Sequence, residues 1–134
     1  LYGILKRKSK MAIIEIILIA FTIFCEASSE SLEGKMAVAS VIYNRASENN
    51  YLAVIFKPKQ FSCYDTSDEV IKHIKRLELN PFIECLVIAD QIHSGKIKPI
   101  VSGKWYVKKG VKRTWMKSMK VEKVIGNHKF LTEK

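Results

Sequence analysis

A chain of 134 residues with 48% hydrophobic and 27% charged side chains has room for one hydrophobic core and lacks the bias of a disordered or fibrous protein. Its net charge of +10 is uneven: residues 1–10 carry four basic and no acidic side chains, residues 104–134 ten against two, and the middle nine against eleven. A basic tail asks for a polyanionic partner, but the absence of zinc-finger spacing and of an RNP-type aromatic motif argues against a specific nucleic-acid reader.

Residues 1–10 form a basic N-terminal segment outside the predicted fold, and residues 11–134 form a single domain. Lys6, Arg7, Lys8 and Lys10 precede the apolar run Met11–Cys25. Together they have the look of a signal peptide, with Met11 an alternative start. The run is short for a stable membrane span, and Glu15 interrupts it. At a period of 3.6, Ile13, Ile16, Ile17, Ala20 and Phe24 form one stripe and Ile14, Leu18, Phe21 and Cys25 a second. A first core helix, buried on most sides, is therefore favoured over a cleaved leader.

A second helix is expected over 31–47, with Ala37, Val38, Val41 and Ile42 facing the core and Asn44-Arg45 ending it. After a polar loop, Tyr51–Phe56 is a short apolar piece, and Lys57-Pro58-Lys59 breaks the structure. Gln60-Phe61-Ser62-Cys63 follows, where amide and hydroxyl groups beside an aromatic suit a sugar or a capped loop equally well. Asp68 is the predicted cap of a helix to about Leu79, and Asn80-Pro81 and Gly95 the start and stop of the next. Its core stripe is Phe82, Leu86, Ala89 and Ile92; His73 and His93 are expected at the surface without a functional partner. Beyond Lys96, Trp105–Val107 reads as a strand, and Val121–Ile125 and His128–Leu131 as a hairpin about Gly126-Asn127. Cys25, Cys63 and Cys85 lack CxxC or His/Cys ligand spacing, so they read as free, mostly buried thiols and no metal site is expected.

The chemistry concentrates at residues 24–45. Glu30 and Glu33 stand where the second helix begins, and carboxylates are favoured there by the helix dipole. Glu26 closes an apolar helix instead, near the negative end of its dipole and against apolar side chains. Such surroundings favour the protonated form that a general acid needs.

The stretch CEASSESLEGKMAVASVIYNR resembles the motif of the SleB-like cell wall hydrolases, the spore cortex-lytic type, and three further pieces follow in the family's order. These are Gln60-Phe61-Ser62-Cys63, Trp105-Tyr106, and Ile125-Gly126-Asn127-His128-Lys129-Phe130, so the similarity spans about residues 20–131. The resemblance implies an α+β, mostly helical, lysozyme-like or lytic-transglycosylase-like domain with a small C-terminal β element. It further implies a monomeric peptidoglycan-cleaving enzyme that uses no cofactor and acts on the MurNAc–GlcNAc β-1,4 bond by lytic transglycosylation, the alternatives being a true muramidase using Glu26 and Glu30 or a wall-binding module of the same fold that has lost catalysis. Glu26 would be its general acid/base and Glu30 a second catalytic or positioning carboxylate. Gln60, Ser62, Trp105, Tyr106 and His128 would bind substrate. Peptidoglycan glycan strands would be the partner, with anionic wall polymers as a second one. The place of action would be the bacterial cell wall, reached by secretion or by release of a phage enzyme from its host. The chain departs from the motif in three places: Ser28 replaces an arginine, Lys104 a histidine, and Val107-Lys108 an Asn-Pro pair.

Overall fold

The computed structural model describes residues 8–47 and 49–134, so residues 1–7 of the basic segment lie outside the described residues. Helix α1 spans Lys10–Ala27; the Ser9 side chain accepts from the Ala12 amide, and Lys8 pairs with Asp90 at 3.1 Å. α1 is the central helix. Ile16, Ile19, Ala20, Ile23, Phe24 and Ala27 are buried against the elements around it, whereas Met11, Ile14 and Ile17 are exposed. The helix is thus buried along a single broad face, and the second predicted stripe is only half covered. Among the described residues no helix is long and apolar enough to cross a membrane.

Helix α2 (Leu32–Ala46) starts at Ser31, whose hydroxyl accepts from the Gly34 amide. It buries Ala37, Val38, Val41 and Ile42, as the periodicity predicts. Its last turn does more than end the helix. Asn44 Nδ2 donates to Val101 O and Gly103 O, both at 2.9 Å, and Arg45 Nε donates to Lys104 O at 2.6 Å. One turn earlier, Ser40 Oγ accepts from the Ile100 amide. One helix face therefore clamps the chain just before the sheet.

Helix α3 (Tyr51–Ile55) is capped by Asn50, and a single 3-10 turn covers Ser62–Tyr64. Helix α4 runs Ser67–Lys75, shorter than predicted, and Thr66 caps it in place of Asp68. A threonine oxygen satisfies the Glu69 amide, while Asp68 remains in the first turn, where its charge opposes the dipole. Helix α5 is Leu79–Ser94, preceded by Glu78, so Asn80 is inside the helix and Pro81 is its third residue. Proline is tolerated there because the first-turn amides have no intrahelical acceptor. Cys85, Leu86, Ile88, Ala89 and Ile92 are buried, Phe82 meets Phe24 edge to face, and Gly95 closes the helix with φ +80°.

Both histidines depart from the surface expectation. His93 Nε2 lies 3.1 Å from Glu15 and its ring stacks on Tyr51 at 5.4 Å; His73 Nδ1 accepts from Arg76 Nε at 3.0 Å. His93 is covered by residues of two other helices, whereas the partners of His73, Arg76 and Glu69, belong to its own helix and its cap.

The sheet contains β1 (Trp105–Lys108), β2 (Met119–Ile125) and β3 (His128–Glu133), in the order β1-β3-β2 and antiparallel throughout. The predicted hairpin forms with its two-residue turn at Gly126-Asn127. An irregularity between Val121 and Lys123 sets Glu122 apart from the regular register. Its carboxylate accepts from the Ser102 and Gly103 amides at 2.8–3.0 Å. Gly103 sits so close to β3 that an added Cβ would lie 1.9 Å from Leu131 O. Gly103→Ala is therefore expected to cost at least about 3 kcal/mol, because two backbone segments must part; a denaturant melt of the variant measures it.

Candidate functional site

The end of α1, the bend into α2, the tip of the hairpin and the end of α4 meet around a cleft of about 480 Å³. Glu26 stands in the last turn of α1 and lines this cleft with Glu30, Arg76, Lys108, Lys109 and His128. Tyr106, on β1, donates its hydroxyl to Glu26 Oε1. Burial and the neighbouring Glu26 carboxylate hold the Tyr106 phenol well above its ordinary pKa, so it remains a proton donor at any ordinary pH. The Tyr106 ring is packed edge to face on His128 at 5.1 Å and tilted on Phe130 at 5.6 Å. A fixed donor thus holds one oxygen of a half-buried carboxylate, while the cleft remains open to the side chain.

Glu30 is a different kind of carboxylate. Its side chain is only 4% exposed. Oε1 accepts from the Asn127 amide at 2.8 Å and Oε2 from Asn127 Nδ2 at 3.1 Å. Those bonds, with His128 and Lys109 nearby, lower its pKa below the ordinary 4.5 despite burial. The turn is shaped around it: Gly126 has φ +55°, and a Cβ there would lie 2.5 Å from Glu30 Oε1. Glu30 therefore anchors the hairpin as an ionised acceptor and has no proton to give near neutrality.

His128 Nδ1 lies 3.5 Å from Glu30 Oε1 and makes no hydrogen bond among the described residues. Burial lowers its pKa from 6.5, and this outweighs the attraction of Glu30 and Glu26. The imidazole is consequently neutral at pH 7, so the contact is not an ion pair there. Both shifts have the same sign for stability. A depressed pKa contributes fully above the unfolded value and is lost as pH falls through the folded one. The melting temperature is expected to fall in two stages, first below pH 6.5 with His128 and then below pH 4.5 with Glu30. Melts across this range, repeated with Glu30→Gln, check it: the variant should lose the lower stage.

Arg76 is a residue that the sequence pattern did not single out. Its guanidinium lies 4.6 Å over the Phe24 ring, donates to Ser28 Oγ at 3.1 Å, and reaches the Phe24 and Cys25 carbonyls at 3.5 and 3.4 Å. It thereby satisfies terminal carbonyls of α1 and brings positive charge to the corner where Ser28 stands in place of the motif's arginine. Nothing local marks it, since it comes from the end of another helix.

The candidate residues divide in space. Glu26, Glu30, Tyr106 and His128 come together. Gln60 and Trp105 line a second cleft of about 400 Å³, and Ser62, exposed on its 3-10 turn, lines neither.

This fold matches two solved structures, each with 22% identity and a TM-score of 0.67 over 92% of the chain. They are the catalytic domain of the Bacillus cereus SleB protein, covered over 92% of its own length, and the catalytic domain of the germination-specific lytic transglycosylase SleB from Bacillus anthracis, covered over 96%. No curated protein sequence matches the chain. A sequence model of the family described as Cell Wall Hydrolase matches residues 29–131; the match takes in Glu30 and every later candidate and begins three residues after Glu26. With more than three quarters of its length matched and its fold shared with SleB catalytic domains, the chain belongs to the cell wall hydrolase family, whose enzymes act on peptidoglycan.

Proposed function

We propose that the protein cleaves the β-1,4 bond between N-acetylmuramic acid and N-acetylglucosamine by lytic transglycosylation, with Glu26 as the single general acid/base. The observation that carries this reading is the contrast between the two carboxylates. Glu26 opens into a cleft and is held by one phenol, whereas both oxygens of the buried, ionised Glu30 are occupied by Asn127. A single carboxylate left open to the cleft suits a mechanism that needs only one general acid/base.

In the first half, Glu26 gives its proton to the glycosidic oxygen as the bond to C1 of the muramic acid breaks. In the second, the Glu26 carboxylate takes the proton from the 6-hydroxyl of the same sugar while that oxygen bonds to C1. The proton returns to Glu26, no water is consumed, and a 1,6-anhydro ring closes. Tyr106 orients Glu26 through both halves. Glu30 acts through position, by holding the turn that presents His128 and Lys109. Arg76, Lys108 and Lys109 leave the cleft positively charged, which suits an anionic wall polymer.

A digest of purified peptidoglycan analysed by mass spectrometry tests the reading. Soluble muropeptides lighter than their hydrolysed counterparts by one water are expected. Ordinary reducing ends would overturn transglycosylation and return Glu30 to a catalytic role.

A further inference from the structure

Helix α1 is apolar even on the side that the rest of the protein leaves uncovered. At about 100° per residue, Lys10, Met11, Ile14, Ile17, Leu18 and Phe21 fall within about 120° of one another, opposite the buried Ile16, Ile19, Ile23 and Ala27. Lys10 is the one charged residue of that sector, and Met11, Ile14 and Ile17 are 53, 47 and 42% exposed. A helix at a protein surface ordinarily turns polar residues outward. The strip also continues beyond α1. Phe21 tilts against Tyr64 at 5.9 Å, Tyr64 meets Phe56 edge to face at 5.1 Å, and Phe56 is 50% exposed.

The charges at the two ends of the strip indicate what covers it. Lys10 stands at the start of α1, where the sequence adds Lys6 and Arg7, and Lys57 and Lys59 are exposed on the loop that follows Phe56. Of the neighbouring charges, Lys8 is held by Asp90, Glu15 is turned to His93, and Asp65 is the acidic side chain of the cleft that Phe56, Lys57 and Lys59 share. An apolar strip that is basic at both ends fits a partner that is apolar and anionic at once. A second copy of the chain does not meet that demand, because a two-fold contact in either direction sets lysines against lysines. A lipid surface with negative headgroups over acyl chains does. Among the described residues no helix is long and apolar enough to cross a membrane, so α1 would lie along the surface.

We propose that the exposed face of α1, extended by Phe56, docks on an anionic phospholipid surface. Met11, Ile14, Ile17 and Phe56 enter the headgroup layer, and Lys10, Lys57 and Lys59 meet the headgroups. Cys25 prolongs the strip by one turn and also lines the Glu26 cleft, so docking brings that cleft beside the lipid. Glu26 itself lies about 120° around the helix from Ile14 and stays clear of the contact.

The test is co-sedimentation of the full chain with vesicles, one set of phosphatidylglycerol and phosphatidylcholine in equal parts and one of phosphatidylcholine alone. The anionic vesicles are expected to bind about tenfold more tightly, and the difference should shrink as salt rises. Ile14→Gln combined with Ile17→Gln should weaken binding to anionic vesicles about tenfold or more. Both positions are exposed, so the melting temperature of that variant should hold. Lys57→Gln combined with Lys59→Gln should weaken anionic binding about five- to tenfold and leave binding to the neutral vesicles unchanged. Val124→Gln, at a similarly exposed apolar position on β2, should alter neither. A protein that stays in the supernatant with anionic vesicles would overturn the proposal, as would binding that both double substitutions leave intact. Sedimentation equilibrium without lipid tests the other occupant: a dimer that Ile14→Gln with Ile17→Gln dissociates would assign the face to a second copy and overturn the lipid. No glycan takes part in these measurements, so they stand or fall independently of the glycan-cleaving reading.

Discussion

Glu26→Gln is expected to lower the rate of wall lysis by about a hundredfold to ten-thousandfold while leaving the melting temperature nearly unchanged. The magnitude is that of removing a positioned general acid. The side chain keeps its shape, and Glu26 is half-buried with one identified hydrogen bond, from Tyr106, which an amide oxygen also accepts. Turbidity loss of purified sacculi measures the first quantity and thermal unfolding the second. Tyr106→Phe gives the graded comparison. It removes the hydroxyl that orients the carboxylate and leaves the ring on His128 and Phe130, so it should slow turnover less, with little change in KM. A Glu26→Gln protein that lyses walls at the parental rate would remove Glu26 from the mechanism.

Glu30→Ala should behave in the opposite order, losing stability first and activity as a consequence. It deletes an acceptor of two hydrogen bonds, strands the Asn127 amide, and empties a space that Gly126 has no side chain to fill. Charge-assisted bonds and an orphaned donor of this kind are together worth roughly 3 kcal/mol, a fall of about 10 °C for a domain of this size. Amide exchange should localise the loss to the hairpin, since β2 and β3 are joined through the turn that Glu30 holds. An unchanged melt with abolished lysis would instead mark Glu30 as part of the chemistry. The two glutamates, four residues apart, are thus separable by which measurement responds.

Much of this arrangement was legible beforehand where the signal is local. The α2 stripe, the left-handed Gly95 stop and the Gly126-Asn127 hairpin each follow from a period or a turn chemistry contained within a few residues. The misjudged features are those where two local devices compete. Thr66 outcompeted Asp68 as a cap, and Asn80-Pro81 reads as a start although the helix begins before it. His93 departs from the surface expectation because its burial depends on Glu15 and Tyr51, which distant helices lay against it.

The same division holds for the site. The motif and the apolar helix ending at Glu26 were enough to indicate the family, the mostly helical class with its small sheet, and a carboxylate at a helix end facing a cleft. Which of the two glutamates has both oxygens held by Asn127, and which opens to the cleft beside a single phenol, depended on the tertiary structure alone. Asn127 lies 97 residues from Glu30 and Tyr106 lies 80 residues from Glu26, so neither hydrogen bond leaves a trace in local spacing. The capping of α1 by Arg76 and the separation of Gln60 and Trp105 into their own cleft are decided in the same way. Propensity and period are properties of neighbours along the chain; a carboxylate's protonation is set by what folding brings to it in space.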